Sequence, residues 1–176
     1  RVTHESNMTP LLEACAGSWV DTVTGEYPLV GAPQALVATI TDKDLMPGQP
    51  KRFTRYRPRA ELINTVASTY SNPDAFYEPE AGATRIDAAA VTFDRERLAS
   101  AITYDAVIHP RQVDSLADIA IRGARYQASA EICVKPKWLE VMKPGRWIRW
   151  NSAEHGDFTY QIVLVSLGPL GPDGAR

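Results

Sequence analysis

Short runs rich in apolar and β-branched residues recur along this chain, separated by Gly, Pro, Asn and Asp. Such runs are typical of β-strands, although the alternation of apolar and polar positions is broken in some of them. The runs predict strands over residues 35–41, 62–70, 101–108, 127–134, 146–150 and 158–167. Two further runs, 19–23 and 27–30, flank the turn residues Thr24, Gly25 and Glu26, and together they predict a β-hairpin.

One long segment, residues 110–126, has a helical period instead. Its apolar positions recur at intervals of three and four residues: Val113, Leu116, Ala117, Ala120, Ile121 and Ala124. Acidic residues early in the segment and basic residues late in it also suit the helix dipole. A shorter helix is predicted over residues 9–16, with Thr9 as N-cap, Pro10 in the first turn and Gly17 as the stop.

Turn-forming residues interrupt the middle of the chain. The run 62–70 has a composition that would suit a strand buried on both faces. Asn72, Pro73 and Asp74 then predict a turn, and residues 77–82 continue it as a loop. Residues 91–98 lead into the strand 101–108. Because strands outnumber helices and do not alternate with them, the predicted class is α+β, with a mainly antiparallel sheet or small β-barrel, one long amphipathic helix and a short N-terminal helix.

Residues 46–59 combine three prolines with a basic cluster, and they predict an irregular or edge segment. The basic residues are Lys51, Arg52, Arg55, Arg57 and Arg59. They form either an ordinary solvated face, or a contact with an acidic neighbouring subunit or with phosphates. The segment also marks a possible division of the chain near residues 46–60.

The composition is that of a folded domain. Of 176 residues, 44% are hydrophobic and 23% charged, so one domain or two closely packed lobes can bury a core. The net charge of -2 is spread along the chain, which argues against specific nucleic-acid binding. Apolar runs such as 162–165 are too short to span a membrane. The chain begins at Arg1 without a methionine and stops in the loop-like residues 171–174, and we expect it to be an internal fragment of a longer protein.

Familiar catalytic patterns do not occur in the sequence: it has no phosphate-binding glycine loop, no zinc-type His/Cys spacing and no nucleophile elbow. His4, His109 and His155 are each expected to be surface or capping residues, since none has a recognisable partner. Cys15 and Cys133 are expected to be buried free thiols. We therefore predict no enzymatic activity and no catalytic, cofactor-binding or metal-binding residue.

Two carboxylate pairs and four tryptophans are candidate functional groups. Glu78 with Glu80, and Asp94 with Glu96, could serve a glycosidase, but both pairs are expected to be solvated and too alike to have separate pKa values. Trp19, Trp138, Trp147 and Trp150 could form a sugar-binding shelf. Trp147 and Trp150 should face opposite sides of one strand, however, which favours packing over a shelf.

The motif Asn64-x-Val66-x-x-x-Tyr70, followed by Pro73, Tyr77 and Pro79, resembles a strand and turn of the tail-tip hub proteins of siphophages and gene transfer agents. The same order continues through a linker with Asp87 and Asp94, a strand pair, the helix with Leu116, Ile119, Ala120, Ala124 and Arg125, and the turn Pro144-Gly145. Upstream, residues 11–17, 19–30 and 38–45 also resemble these proteins. One departure is Arg146, where family members usually carry an acid.

This resemblance implies a structural role. Hub proteins form a trimeric ring at the distal end of the tail tube, where they serve host attachment and genome ejection. The implied partners are the distal tail protein, the tail tube and tape-measure proteins, and fibre or receptor-binding modules. The implied location is the virion tail tip, after assembly in the host bacterial cytoplasm. Two alternatives stay open: a carbohydrate-binding module, and a cell-wall hydrolase domain of a phage protein.

Overall fold

The computed structural model describes residues 4–22, 25–31 and 35–166. Within these ranges the helices are α1 (His4–Glu13), α2 (Ala88–Asp94) and α3 (Pro110–Ala124). The strands are β1 (Ser18–Thr22), β2 (Gly25–Leu29), β3 (Leu36–Thr41), β4 (Arg52–Thr54), β5 (Thr65–Asn72), β6 (Glu78–Ala81), β7 (Arg85–Ile86), β8 (Ala99–Tyr104), β9 (Ser129–Glu131), β10 (Trp147–Ser152) and β11 (Gly156–Gln161). Short 3-10 helices lie at Asp42–Asp44, Arg59–Glu61, Pro73–Ala75 and Pro136–Trp138.

The α+β class is confirmed, with antiparallel and parallel pairs in the same sheets. β5 pairs antiparallel with β6 and β7 and parallel with β8, and β10 pairs antiparallel with β11 and parallel with β3. None of the sheets in the described residues closes into a barrel. The chain divides into two units, Arg1–Ser18 with Thr54–Ala128 and Trp19–Phe53 with Ser129–Arg176.

The first unit is a four-stranded sheet with α3 packed on one face. Val66 and Tyr70 of β5 point to that face and pack with the apolar stripe of α3, whose buried members are Val113, Leu116, Ala117 and Ile121. The opposite side of β5 is more open, since Ala67 is exposed. The expectation that this strand is buried on both faces therefore holds only in part, because the face that carries exposed Ala67 also carries buried Thr65. Gly82 lies beside the sheet where a Cβ would come within 2.8 Å of the Ser68 hydroxyl.

The second unit has its core on one side of β10. Ile148 and Trp150 are buried there with Ile40 of β3 and Met142, whereas Arg149 between them is exposed. The hairpin β1–β2 is confirmed, although turn residue Thr24 lies outside the described residues. β11 ends at Gln161, so the predicted strand over 158–167 is shorter than expected; Leu167 is also outside the described residues. The chain end at 171–174 and Arg1 lie outside them as well.

Several predicted boundaries are wrong. α1 begins at His4 and contains Pro10, so Thr9 is not its N-cap. Residues 4–8 are mostly polar and carry no apolar stripe, which is why periodicity gave no signal there. Residues 78–81 form strand β6 where a loop was expected, because they pair with β5. Where a strand pair was expected before α3, the chain forms helix α2 and then strand β8. The strand predicted over residues 127–134 is shorter than expected and consists of β9 alone.

Candidate functional site

The histidines expected at surface or capping positions have different surroundings. His109 is exposed just before α3 and makes no side-chain cap hydrogen bond. His155 is half-buried, with its ring stacked on Phe53 at a centroid distance of 4.4 Å and tilted against Trp150 at 5.6 Å. The side chain of His4 lies outside the described residues. Among the described residues, no group of three His, Cys, Asp or Glu side chains could hold a metal ion.

The two cysteines are not buried as expected. Cys15 is half-buried, and its thiol donates to the Leu12 carbonyl oxygen at 3.2 Å. Cys133 is exposed in the short connection after β9, where its carbonyl oxygen accepts a hydrogen bond from the Met46 amide at 2.8 Å. The prediction that Cys133 is buried is wrong because this connection runs along the surface. The path of the chain, and not the residue type, decides whether the side chain is exposed.

A surface hollow of about 410 Å³ lies next to Cys133, lined also by Asp42 and by residues 45–51. The Asp42 carboxylate at its rim is occupied: it accepts hydrogen bonds from the Ala153 amide at 2.8 Å, the Ser152 hydroxyl at 3.2 Å and the Trp150 indole at 3.2 Å. Partial burial raises the pKa of Asp42, but these hydrogen bonds outweigh that effect and lower it. The carboxylate holds β10 against the Asp42–Asp44 turn.

The carboxylate pairs differ from one another, contrary to the expectation that both are solvated. Glu78 and Glu80 are exposed on β6, and Glu80 accepts a hydrogen bond from the Asn72 amide group. Asp94, by contrast, has only 6% of its side chain exposed and pairs with Arg125 at 2.7 Å. A hydrogen bond from Asn64 and the Arg125 guanidinium lower the pKa of Asp94. A carboxyl group held ionised in this way is a poor proton donor near neutral pH.

The tryptophans pack in the second unit. Trp150 is 1% exposed in its core, and Trp147 lies on the other side of β10, as the strand period predicted. Trp19, Trp138 and Trp147 are half-buried. Since none of the four indoles is exposed, they do not present the row of open rings that stacks on a sugar.

The motif residues Asn64, Val66 and Tyr70, which resemble those of tail-tip hub proteins, have structural roles in this chain. The buried Asn64 amide donates to the Asp94 carboxylate and to the Glu96 carbonyl oxygen, each at 2.9 Å, and its oxygen accepts from the Leu98 amide at 2.8 Å. Val66 and Tyr70 lie in the core of the same unit. The motif therefore fixes the start of β5 to the turn after α2.

The Pro144-Gly145 turn is also a packing element. Gly145 has a φ of 82°, and a Cβ at this position would come within 2.4 Å of the Leu29 side chain. Its amide donates to the Ile162 carbonyl oxygen at 2.7 Å, and the Tyr27 hydroxyl donates to the Pro144 carbonyl oxygen at 3.3 Å. Arg146, which departs from the usual acid, is half-buried beside this turn. Glycine is needed here for both conformation and space.

Comparison with known proteins decides the family. The family described as "Putative phage tail protein" matches residues 3–165, which is nearly the whole chain. The chain belongs to this family of phage tail proteins. No curated protein matches it.

A solved structure shares the fold of this tail protein. It is the crystal structure of a 43 kDa tail protein of prophage MuSo2 from Shewanella oneidensis, with a TM-score of 0.57 and 13% sequence identity. The match covers 92% of this chain and 49% of that one, so the chain spans about half the length of this relative. In the part of the tail protein that the structure describes, no helix has the length and apolar character needed to cross a membrane.

Proposed function

We propose that this tail protein is a structural component of the tail tip, a hub ring at the distal end of the tail tube that serves host attachment and genome ejection. The family match over residues 3–165 carries this proposal, because it covers the residues whose order resembles tail-tip hub proteins. The geometry supports a scaffold: the resembling residues Asn64, Val66, Tyr70 and Gly145 are packing and hydrogen-bonding groups within their units.

The hub role that we propose extends to the longer protein and its partners. The chain is an internal piece of a longer protein that forms a homotrimer around the tail axis. It contacts the distal tail protein, the tail tube and tape-measure proteins, and fibre or receptor-binding modules. It assembles in the bacterial cytoplasm, resides at the virion tail tip and has no enzymatic role. The open sheet face of the first unit and the many exposed apolar side chains are surfaces that such neighbours would cover.

Electron microscopy of labelled virions tests the location. An epitope inserted after Gly48, in an exposed turn of the tail protein, should bind antibody at the distal end of the tail. A deletion of the gene should yield particles that lack a tip and fail to infect. Label spread along the tube, label at the head end, or virions that do not contain the protein would each contradict the proposal.

A further inference from the structure

A short basic segment, Arg55, Tyr56 and Arg57, is exposed and electrostatically unpaired. Of the other cations in the basic cluster, Lys51 contacts Glu154 at 2.5 Å and Arg59 contacts Glu96 at 2.5 Å, whereas exposed Arg52 is in none of the described ion pairs. Among the described ion pairs, none includes Arg55 or Arg57; the Arg55 guanidinium lies 5.7 Å from the Tyr56 ring, which is itself 67% exposed. Two cations and an aromatic ring thus face solvent without a carboxylate partner.

An acidic hairpin connects β5 to β6 and has the opposite charge. Asp74, Glu78 and Glu80 are all exposed, and residues 72–84 contain no Lys or Arg. Between these acids, Phe76 is 94% exposed and Tyr77 is 66% exposed. The acidic hairpin therefore pairs negative charge with two uncovered aromatic rings, the residue type enriched at protein interfaces.

The backbone holds these two rings outward. Phe76 and Tyr77 have φ values of 55° and 63°, a left-handed conformation that costs free energy for residues other than glycine. Asn72 supports it locally: its side chain accepts from the Asp74 amide at 3.0 Å and its carbonyl oxygen from the Tyr77 amide at 2.8 Å. A strained turn that exposes two large apolar side chains does not stabilise the fold of this chain. We therefore infer that the two rings contact another molecule.

The two surfaces belong to opposite ends of the same strand. Arg59, two residues after the basic segment, contacts the turn at Asp94 and Glu96 that Asn64 fixes to the start of β5. The acidic hairpin follows the other end of β5, at Asn72. A strand of this length spans roughly 23 Å at about 3.3 Å per residue. None of the described ion pairs joins the two surfaces, and the length of β5 separates Arg59 from the acidic hairpin.

We propose that the basic segment of one copy binds the acidic hairpin of the next copy, in a head-to-tail contact that builds the hub ring. This inference rests on the proposed ring function and names its contact. A contact between two different surfaces is heterologous, and repetition of such a contact closes a ring when the rotation permits. The guanidinium groups face the carboxylates, and Tyr56 packs with Phe76 and Tyr77 where water is excluded.

A charge swap tests the contact in the tail protein as the phage encodes it. Arg55→Glu with Arg57→Glu should weaken trimer association at least about tenfold, because like charges then oppose one another. Glu78→Lys with Glu80→Lys should weaken it similarly. All four changes in one chain should restore association to within about threefold of wild type, because complementary charges face each other again. Sedimentation velocity and light scattering at matched protein and salt concentrations measure each variant.

Controls separate the contact from folding and from total charge. Arg97→Glu with Arg111→Glu removes two exposed arginines that form no ion pair in the described residues, and it should leave association unchanged. The neutral pair Arg55→Gln with Arg57→Gln should weaken association less than reversal, and the arginine variants should melt at the wild-type temperature. Glu80→Lys also removes the acceptor of the Asn72 amide, so circular dichroism first verifies that the Glu78 and Glu80 variants are folded.

Three results would overturn the inference: a wild-type protein that stays monomeric, single reversals that associate normally, or a four-site variant that melts normally but stays dissociated. Charge-reversal variants that still form the trimer but are not incorporated into tails would also overturn it, because the charged residues would then bind another tail protein. Label at the tail tip combined with any of these results leaves the proposed location standing and removes only the contact.

Discussion

At the scale of single residues, Asn64 determines how the first unit is tied together. Its amide group is fully buried and bonds to Asp94 at the end of α2 and to Glu96 and Leu98 in the turn between α2 and β8. A buried side-chain amide is tolerated only when its donors and acceptor are satisfied, and here all three bonds are short. The sequence marked Asn64 through the resemblance but gave no indication of these partners.

Replacement of Asn64 by Ala should destabilise the fold by about 2–4 kcal/mol, because it removes the partner of the Leu98 amide and of the Glu96 carbonyl oxygen. Asp94 loses one donor but keeps its contact with Arg125. Urea unfolding followed by circular dichroism measures the change. Asn151→Ala is the matched control: Asn151 is exposed on β10, and its loss should cost less than about 0.5 kcal/mol. Equal effects at the two positions would contradict the role given to Asn64.

Asp94 should make part of the stability depend on pH. Its folded-state pKa lies below the unfolded value of about 3.9, because Asn64 and Arg125 favour the carboxylate. The ionised form therefore stabilises the fold above roughly pH 4, and this contribution is lost as the pH falls through the folded pKa. Asp94→Asn should be less stable than wild type at pH 7, and the difference should shrink between pH 5 and pH 3.

Other carboxylates with lowered pKa values, including Asp42 and Asp118, also contribute to acid sensitivity, so the difference between variants is the quantity to measure. Asp105→Asn, which alters an exposed carboxylate, is the control for the removal of one negative charge. A constant difference between Asp94→Asn and wild type across this range would mean that Asp94 acts by packing alone.

At the scale of elements, α3 is the best-defined structure in the chain because sequence period, dipole and packing agree. Its observed bounds, Pro110–Ala124, nearly match the predicted segment, and four residues of its apolar stripe are buried. The sequence did not predict α2, because its seven residues cover less than two full turns and show no clear period. Nor did it predict β6, because Pro79 and the charged residues around it are typical of loops.

Leu116→Ala should lower the free energy of unfolding by about 2–5 kcal/mol, because it opens a cavity between α3 and the sheet. Leu116 is 6% exposed and packs with Tyr70, Tyr104, Val107 and Val113. Ile119 on the same helix is 42% exposed, and Ile119→Ala should cost under about 1 kcal/mol. Urea unfolding compares the two, and similar losses would show that α3 packs by a different face.

At the scale of the whole molecule, association is expected to depend on more than these 176 residues. A ring contact spread over several domains is weak in any one of them. We expect the isolated chain to be monomeric or weakly associated at micromolar concentration, while the longer tail protein forms a trimer. Light scattering coupled to size exclusion measures both masses. A tight trimer of the isolated chain would place the main interface within it.

The isolated chain should also show no turnover of peptidoglycan or host polysaccharide. The expected reason is that Glu78 and Glu80 are both exposed, while Asn64 and Arg125 lower the pKa of Asp94, which makes Asp94 a poor proton donor near neutral pH. Release of soluble sugar from purified cell walls is the measurement. Activity abolished by Glu78→Gln or Glu80→Gln, with unchanged folding, would make the chain a hydrolase and remove the structural interpretation of the acidic hairpin.

The sequence by itself determined those features that local chemistry controls: the α+β class, the hairpin β1–β2, strands β3, β5 and β10, helix α3 and the Asn72 turn. Each of these depends on a repeat of two or about 3.6 residues, or on one side chain that bonds to a nearby amide. The family was also readable, because motifs such as Asn64-x-Val66 and Pro144-Gly145 lie at positions where few residues fit.

Only the tertiary structure decided the features that need partners distant in sequence. β6 is a strand because β5 lies beside it, and Asp94 is buried because α3 brings Arg125 to it. The same holds for Cys133, which the chain path leaves on the surface, and for the basic segment and the acidic hairpin, which no ion pair joins within the described residues. Strand pairing, the burial of a side chain and the distance between two surfaces all depend on residues that are far apart in the sequence. The pattern of neighbouring residues therefore does not predict them.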